Sequence, residues 1–383
     1  MEKYSLNVCD IENSSEYKEN IKNFINNNYS TILEANSLRK CFHQTLKSDK
    51  NKKSFYKEVA DVKFLILTAN EIEREVLFSC YTSYPKEFTL NKKNIIKRIP
   101  CDGLVYSFFY INDIKVVHVE PEMTGSYSNG GTAETLRKAL KKVRPTFVIS
   151  LGVAFGYDMK KQQLCDVLVG RQFFAYDKSA KIKDDEISIK KLHIVEADQN
   201  LLNKAKATIK FEDKTLGLFG NEFQTHIGNI LTGEYVIDSC AFKDLIGEPF
   251  KPFGIIGGEM EAFGMFSVIN EYNQQKSHLK ARGIMIKGIC DWAVGKNINI
   301  TELNLDVDTK EKLTLENNML KKEHKLSNEE YKNAFQTLAM CNACNVCKLF
   351  MSSNNLFSDY KIHGIRKWFR RRFNKFTRCL SKN

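Results

Sequence analysis

The chain has 383 residues, 43% hydrophobic and 11% aromatic, which is enough to bury a sizeable core in two to three domain-sized units at most. It has no run of about eighteen apolar residues and no signal-peptide core in MEKYSLNVCDIENSSEYKEN, which excludes a membrane-spanning helix and points to a soluble cytoplasmic protein. Of the net charge of +12, nine Lys or Arg and no acid fall between Lys361 and Asn383, so the main body is nearly balanced and nucleic acid is not an expected partner. Eleven cysteines follow no regular framework, as expected for reduced thiols without disulfides.

Residues 1 to 60 are polar and free of glycine, with helical islands at Tyr17 to Phe24 and Ile32 to Phe42; they read as a helical N-terminal extension. At Val62 the composition changes. VKFLILTA is a continuous apolar run of strand length, expected of a strand covered on both faces of an open α/β sheet, where ligands gather at the strands' carboxyl ends. NEIEREVL then opens a helix with Glu71, Glu73 and Glu75 in its first turns. Acids there favour the helix N-terminus, and Glu73 is free for a second job. Val105 to Ile111 and Ile114 to Val119 read as a hairpin about Asn112-Asp113. The loop EMTGSYSNGG runs into a helix striped by Ala133, Leu136, Leu140 and Val143, with Thr132 as the expected N-cap. Its amides suit an anion, although the loop lacks a basic residue and, taken alone, fits an ordinary strand-to-helix turn better.

Pro145 to Tyr157 is a second buried strand, whose Gly152 and Gly156 admit close backbone approach. Asp166 to Gly170 begins a third, extended by Phe173 to Asp177. Helices are expected at Asp198 to Ile209 and Ser239 to Ile246, either side of the strand in HIGNILTGEYVIDS. The stretch GGEMEAFG puts Glu259 and Glu261 on either side of Met260. Burying two acids calls for a cation or a set of ligand hydroxyls such as those of a ribose; solvated acids at a strand end are the alternative. GIMIKGICDWA is a buried strand that delivers Asp291 at its carboxyl end.

In this order TAxExE, the Gly/Ser loop, GVAFG, DVLV, TGEYVIDS, GGEMEA and KGICDWA resemble the nucleoside phosphorylase and nucleosidase superfamily over residues 62 to 296, with a shorter echo near Phe335-Gln336. The resemblance implies an α/β, three-layer α/β/α phosphorylase-like fold around a central mixed sheet, here with helical N- and C-terminal extensions. It also implies a homo-oligomer, a purine nucleoside or nucleotide as substrate, and no metal or organic cofactor. By position, Asp291 matches the general acid on the leaving purine and Glu73 the acid that orients the attacking water. Glu261 matches the ribose-binding carboxylate, Met260 the side chain packed on the sugar, and Glu259 the partner acid. Val236 and Ile237 match the base-reading segment, Phe155 lies in the turn near the purine, and Gly125 and Ser126 belong to the loop that contacts phosphate or ribose.

Departures from the pattern favour water over phosphate. Arg74 is the only arginine in the two anion segments and is flanked by glutamates, Val153 stands where a serine is common, and Val236 replaces a frequent aromatic. The reading is a nucleosidase; a phosphate-dependent phosphorylase and a latent nucleotide sensor with an effector or signalling role are the alternatives. Residues 61 to 355 form the expected catalytic domain, with a charged insertion at 297 to 330. Cys341, Cys344 and Cys347 share one face of a helix, which fits buried small side chains better than converging metal ligands. The tail 356 to 383 carries Trp368, Phe369 and Phe373 at helical spacing opposite a basic face, suited to an anionic membrane surface or an acidic partner, or to packing on the domain.

Overall fold

The computed structural model describes residues 4–5, 12–38, 46–48, 52–82, 96–183, 186–189, 191–209, 211, 213–275, 280–293, 303 and 326–352. Chain order begins β1 (Tyr4–Ser5), α1 (Glu12–Leu38), β2 (Leu46–Ser48), α2 (Lys52–Val59), β3 (Phe64–Leu67), α3 (Glu71–Thr82), β4 (Ile96–Cys101), β5 (Leu104–Ile111) and β6 (Ile114–Val119). Next come α4 (Thr132–Val143), β7 (Phe147–Gly156), β8 (Val167–Ala175), α5 (Tyr176–Ser179), β9 (Ala180–Lys183), β10 (Glu186–Ile189), β11 (Ile194–Glu196) and α6 (Gln199–Thr208). The last described elements are β12 (Thr215–Leu216), β13 (Glu222–Phe223), β14 (Thr225–Thr232), α7 (Cys240–Gly247), β15 (Ile255–Glu259), α8 (Ala262–Gln275), β16 (Arg282–Asp291) and α9 (Asn328–Met351). Most of the 297–330 insertion and the whole tail from 356 lie outside the described residues. Among those described, no helix is long and apolar enough to cross a membrane.

The central sheet is mixed and closes on itself. β16 pairs in parallel with β7 and antiparallel with β8, β8 pairs with β14, β14 with β15, and β15 with β7. From β7 a wing continues through β3, β6, β5 and β4 to β2. Helices cover both faces. In β16 a Cβ on Gly288 would enter the α9 backbone at Ala339, and one on Gly283 would meet Phe266 and Ile269 of α8. The two glycines are an odd number of residues apart, so α9 and α8 lie on opposite faces of the strand. Covering on both sides is why the β3 residues Phe64, Leu65, Ile66 and Leu67 are all buried.

Several local expectations meet their structures here. Asn112 and Asp113 both adopt left-handed conformations, φ 46° and 64°, as a two-residue hairpin turn requires. Asp198 and Ser239 cap α6 and α7 by accepting from Leu201 N and Phe242 N. The first N-terminal island and the second as far as Leu38 both lie in α1, separated by a kink at the non-helical Asn28, whose side chain donates to Phe24 O at 3.0 Å. Others are corrected. The N-cap of α4 is Gly131, not Thr132, because the loop folds back so closely that a Cβ on Gly131 would sit 2.8 Å from Ser128 O and 2.9 Å from Gly125 O. β8 stops at Ala175, and Tyr176 and Asp177 turn into α5. α9 starts at Asn328, behind a capping box between Ser327 and Glu330.

Residues from the first sixty join the main body. β2 adds a parallel edge strand beside β4, and Phe55 of α2 packs edge-on against Tyr106 at 4.8 Å between ring centres. α1 packs on α9, with Phe24 edge-on to Phe335 at 5.7 Å. α3 also packs on α9, and α4 packs on α8.

Candidate active site

The carboxyl ends of β7, β15 and β16 meet at Phe155, which lies in register with both Gly258 and Asp291. Glycine is required at 258 because a Cβ there would enter the Phe155 ring. The chain then turns into α8, and Glu259 caps that turn: its carboxylate accepts from Glu261 N at 2.9 Å and Ala262 N at 2.9 and 3.1 Å. Two of the helix's orphan amides are satisfied in this way.

The cation that paired buried acids call for is Lys287, 1% exposed in the middle of β16. Its Nζ donates to Glu261 Oε2 at 2.5 Å and lies 3.4 Å from Glu259 Oε2. Glu261 Oε1 has no hydrogen-bond partner among the described residues, so one side of this carboxylate can accept a ligand hydroxyl. Glu73, at the start of α3, is fully buried against the same group. Its two oxygens accept from Ala69 N at 2.5 Å and Val153 N at 2.8 Å. Gly152 makes room for it, since a Cβ there would stand 2.6 Å from the Glu73 carboxyl carbon.

One ammonium therefore faces three carboxylates. Burial would depress the Lys287 ammonium, but Glu261, then Glu259 and Glu73, hold it well above the ordinary lysine range. Burial pushes Glu73 up from 4.5 to about 7; Lys287 opposes the rise and Glu261 adds to it. Burial also raises Glu259, against Lys287. A carboxyl group near 7 is suited to exchanging a proton with water at neutral pH.

Asp291 is half-buried; its Oδ1 accepts from Ala293 N at 2.7 Å, and Cys290 Sγ stands 3.4 Å from Oδ2. Met260 and Phe155 are also half-buried. Ile237 is buried in a second apolar cluster with Phe174, Tyr176 and Leu231, whereas Val236 is 67% exposed and is not brought to the carboxylates. Gly125 and Ser126 serve the loop itself. Gly125 adopts φ +116°, and the Ser126 hydroxyl donates to Met260 O at 2.9 Å while accepting from Gly264 N at 3.0 Å, which ties the loop to the GGEMEA turn.

The loop amides offered to an anion are occupied by the chain's own carboxylate. Glu234 Oε1 accepts from Ser126 N at 3.0 Å and Tyr127 N at 2.9 Å. Arg74 is likewise engaged, with Glu120 and Glu71 at 2.6 Å each. Three residues of this region have no role in the sequence reading. Lys287 had a signal, a single lysine inside the apolar run GIMIKGIC. Glu234 had none, because its partners are more than a hundred residues away. Nor did Tyr17 of α1, which is 5% exposed; burial first, then the charges of Asp291 and Asp238, raise its phenol.

No protein-family model matches the chain. A death domain-containing ATP nucleosidase from Amphimedon queenslandica is 21% identical over 256 residues, covering 62% of this chain and 44% of that protein. The chain thus spans less than half the length of this curated relative. Among solved structures, the futalosine hydrolase of Helicobacter pylori superposes with a TM-score of 0.50 at 15% identity, over 76% of this chain and 97% of the other. The 5'-methylthioadenosine/S-adenosylhomocysteine nucleosidase of Neisseria meningitidis, in complex with methylthio-immucillin-A, gives 0.49 at 16% identity, over 76% and 99%. The chain shares its fold with the Helicobacter pylori futalosine hydrolase.

Proposed function

We propose that the chain is an N-glycosidase that uses water to release the base from a purine nucleoside or nucleotide. The observation that carries this reading is the buried cluster of Lys287 with Glu261, Glu259 and Glu73, open at Glu261 Oε1, beside the strand ends that deliver Asp291. Glu261 takes the ribose hydroxyls, and its charge, like that of Glu73, stabilises the oxocarbenium character that develops at the sugar as the glycosidic bond lengthens. Glu73 accepts a proton from the attacking water, and Asp291 passes one to the ring nitrogen of the departing purine. Glu234 on the loop amides supports water as the nucleophile, because a carboxylate already fills the place a phosphate would take. The Amphimedon queenslandica relative is named for ATP, which puts ATP among the substrates to try.

The test is to incubate the protein with adenosine, inosine, methylthioadenosine and ATP, with and without inorganic phosphate, and to separate the products. Free base without phosphate is expected, and Asp291→Asn should lower its rate by about 100- to 10,000-fold. Ribose 1-phosphate formed only with phosphate would make the chain a phosphorylase. One observation favours a second reading, a latent domain restrained by its N-terminal helix: Tyr17 of α1 is buried within electrostatic reach of Asp291. In that case Tyr17→Ala releases base faster than the parent chain does.

A further inference from the structure

The nucleoside chemistry makes no use of a group of sulfurs at the contact between α3 and α9. Cys80 lies two helical turns beyond Glu73 on α3, with its Sγ 3.5 Å from Cys341 Sγ on α9. Cys344 follows one turn along α9, and the Tyr81 hydroxyl donates to its carbonyl at 2.6 Å, which holds the two helices in register at this point. An S–S bond of about 2.05 Å needs the two sulfurs to close by only about 1.5 Å, within reach of small side-chain rotations. The pair is asymmetric in access: Cys80 is half-buried, whereas Cys341 is 1% exposed. The two also differ in chemistry. Contact with the Cys341 and Cys344 sulfurs, helped by the exposed Lys348 ammonium, lowers the Cys80 thiol well below the ordinary range against the effect of burial, while burial raises Cys341. Among the described residues no set of three His, Cys, Asp or Glu side chains is arranged to hold a metal ion.

We propose that Cys80 is a peroxide-oxidised thiol and Cys341 its resolving partner, so that the reduced pair converts reversibly to a Cys80–Cys341 disulfide joining α3 to α9. The oxidant is a hydroperoxide, small enough to approach a residue that is not fully enclosed. The Cys80 thiolate attacks one peroxide oxygen and the O–O bond breaks, leaving Cys80 as a sulfenic acid and releasing hydroxide that takes up the thiol proton as water. Cys341 sulfur then attacks Cys80 sulfur and gives up its proton. The S–O bond breaks and a second water leaves, so two thiols and one hydrogen peroxide become one disulfide and two waters. A thiol reductant reverses the change by exchange.

The experiment uses the whole chain and hydrogen peroxide. Treated and untreated samples are alkylated under denaturing conditions, digested without reduction and mapped by mass spectrometry. The expected result is loss of two alkylatable thiols and appearance of a peptide pair linking Cys80 to Cys341, which dithiothreitol removes. In Cys341→Ser the reaction should stop at the Cys80 sulfenic acid, trapped as its dimedone adduct. The wild-type digest decides the matter without relying on any variant's folding. If Cys80 carries only the alkylating label after peroxide, or is joined to Cys344 or any other cysteine, the proposal is overturned.

Discussion

Lys287→Met separates the charge of the buried cluster from its packing. Methionine keeps most of the length and the apolar stem of lysine, so no large cavity opens in β16, and only the ammonium is lost. Glu261 then has no cation at 2.5 Å, Glu259 loses its charge partner and keeps its amide bonds, and Glu73 loses the largest of the interactions that hold its proton affinity down, the others being the Ala69 and Val153 amides. Removing one side of a buried ion pair costs about 3–5 kcal/mol, a large share of the roughly 5–15 kcal/mol that stabilises a domain. The stranded carboxylates escape part of this cost by taking up a proton. At about 1.4 kcal/mol per pH unit for one such group, the loss should narrow to about 1–2 kcal/mol between pH 7.5 and pH 5.5. Urea unfolding of both proteins at the two pH values, followed by circular dichroism, measures the difference. A loss equal at both pH values, or below about 1 kcal/mol at pH 7.5, would refute the view that Lys287 keeps these acids charged.

Glu73 gives a pH signature of its own. Its folded value near 7 lies above the ordinary 4.5, so the native chain holds this proton more tightly than the unfolded one. The group's contribution is therefore most favourable below about pH 4.5 and declines as the pH rises to 7, by at most about 3 kcal/mol for the 2.5-unit difference between 7 and 4.5. In the proposed mechanism Glu73 acts in its ionised form, so kcat/KM should climb through pH 7, and a profile flat from pH 5.5 to 8 would remove Glu73 from that mechanism. Gly152→Ala places a methyl 2.6 Å from the Glu73 carboxyl carbon and should cut base release by 100-fold or more while costing about 1–3 kcal/mol in urea unfolding. Glu234→Ala leaves the Ser126 and Tyr127 amides unpaired, again at about 1–3 kcal/mol. Inorganic phosphate should then raise the melting temperature of this variant and not that of the parent chain.

The elements legible in the amino-acid order are those dictated by local physics. Asn112-Asp113 announces its hairpin because few residues accept positive φ, and VKFLILTA and GIMIKGIC announce buried strands because apolar residues stand on both faces. GGEMEAFG called for a cation or for hydroxyls, and the cation was already visible as the one lysine in GIMIKGIC; what stayed hidden was that β16 passes beneath that turn. The loop amides looked open because Glu234, which fills them, reaches across from the end of β14. Thr132 looked like a cap because local rules favour its hydroxyl, while loop packing gave that place to Gly131. The placement of α1 against α9 has no local signature, because the apolar stripe of a helix names no partner.

The ring of β7, β15, β14, β8 and β16 has a consequence for how the chain is made. β16, the strand that joins β7 to β8, begins only at Arg282 of 383 residues. On a ribosome, Glu73 and the wing around β3 emerge early, and Glu259 and Glu261 follow before their cation does. Until Lys287 arrives, those acids must stay hydrated or protonated, so the apolar walls around them cannot seal. A nascent chain halted short of Arg282 presents two open strand edges, on β7 and β8, of the kind that chaperones hold and that aggregating chains extend.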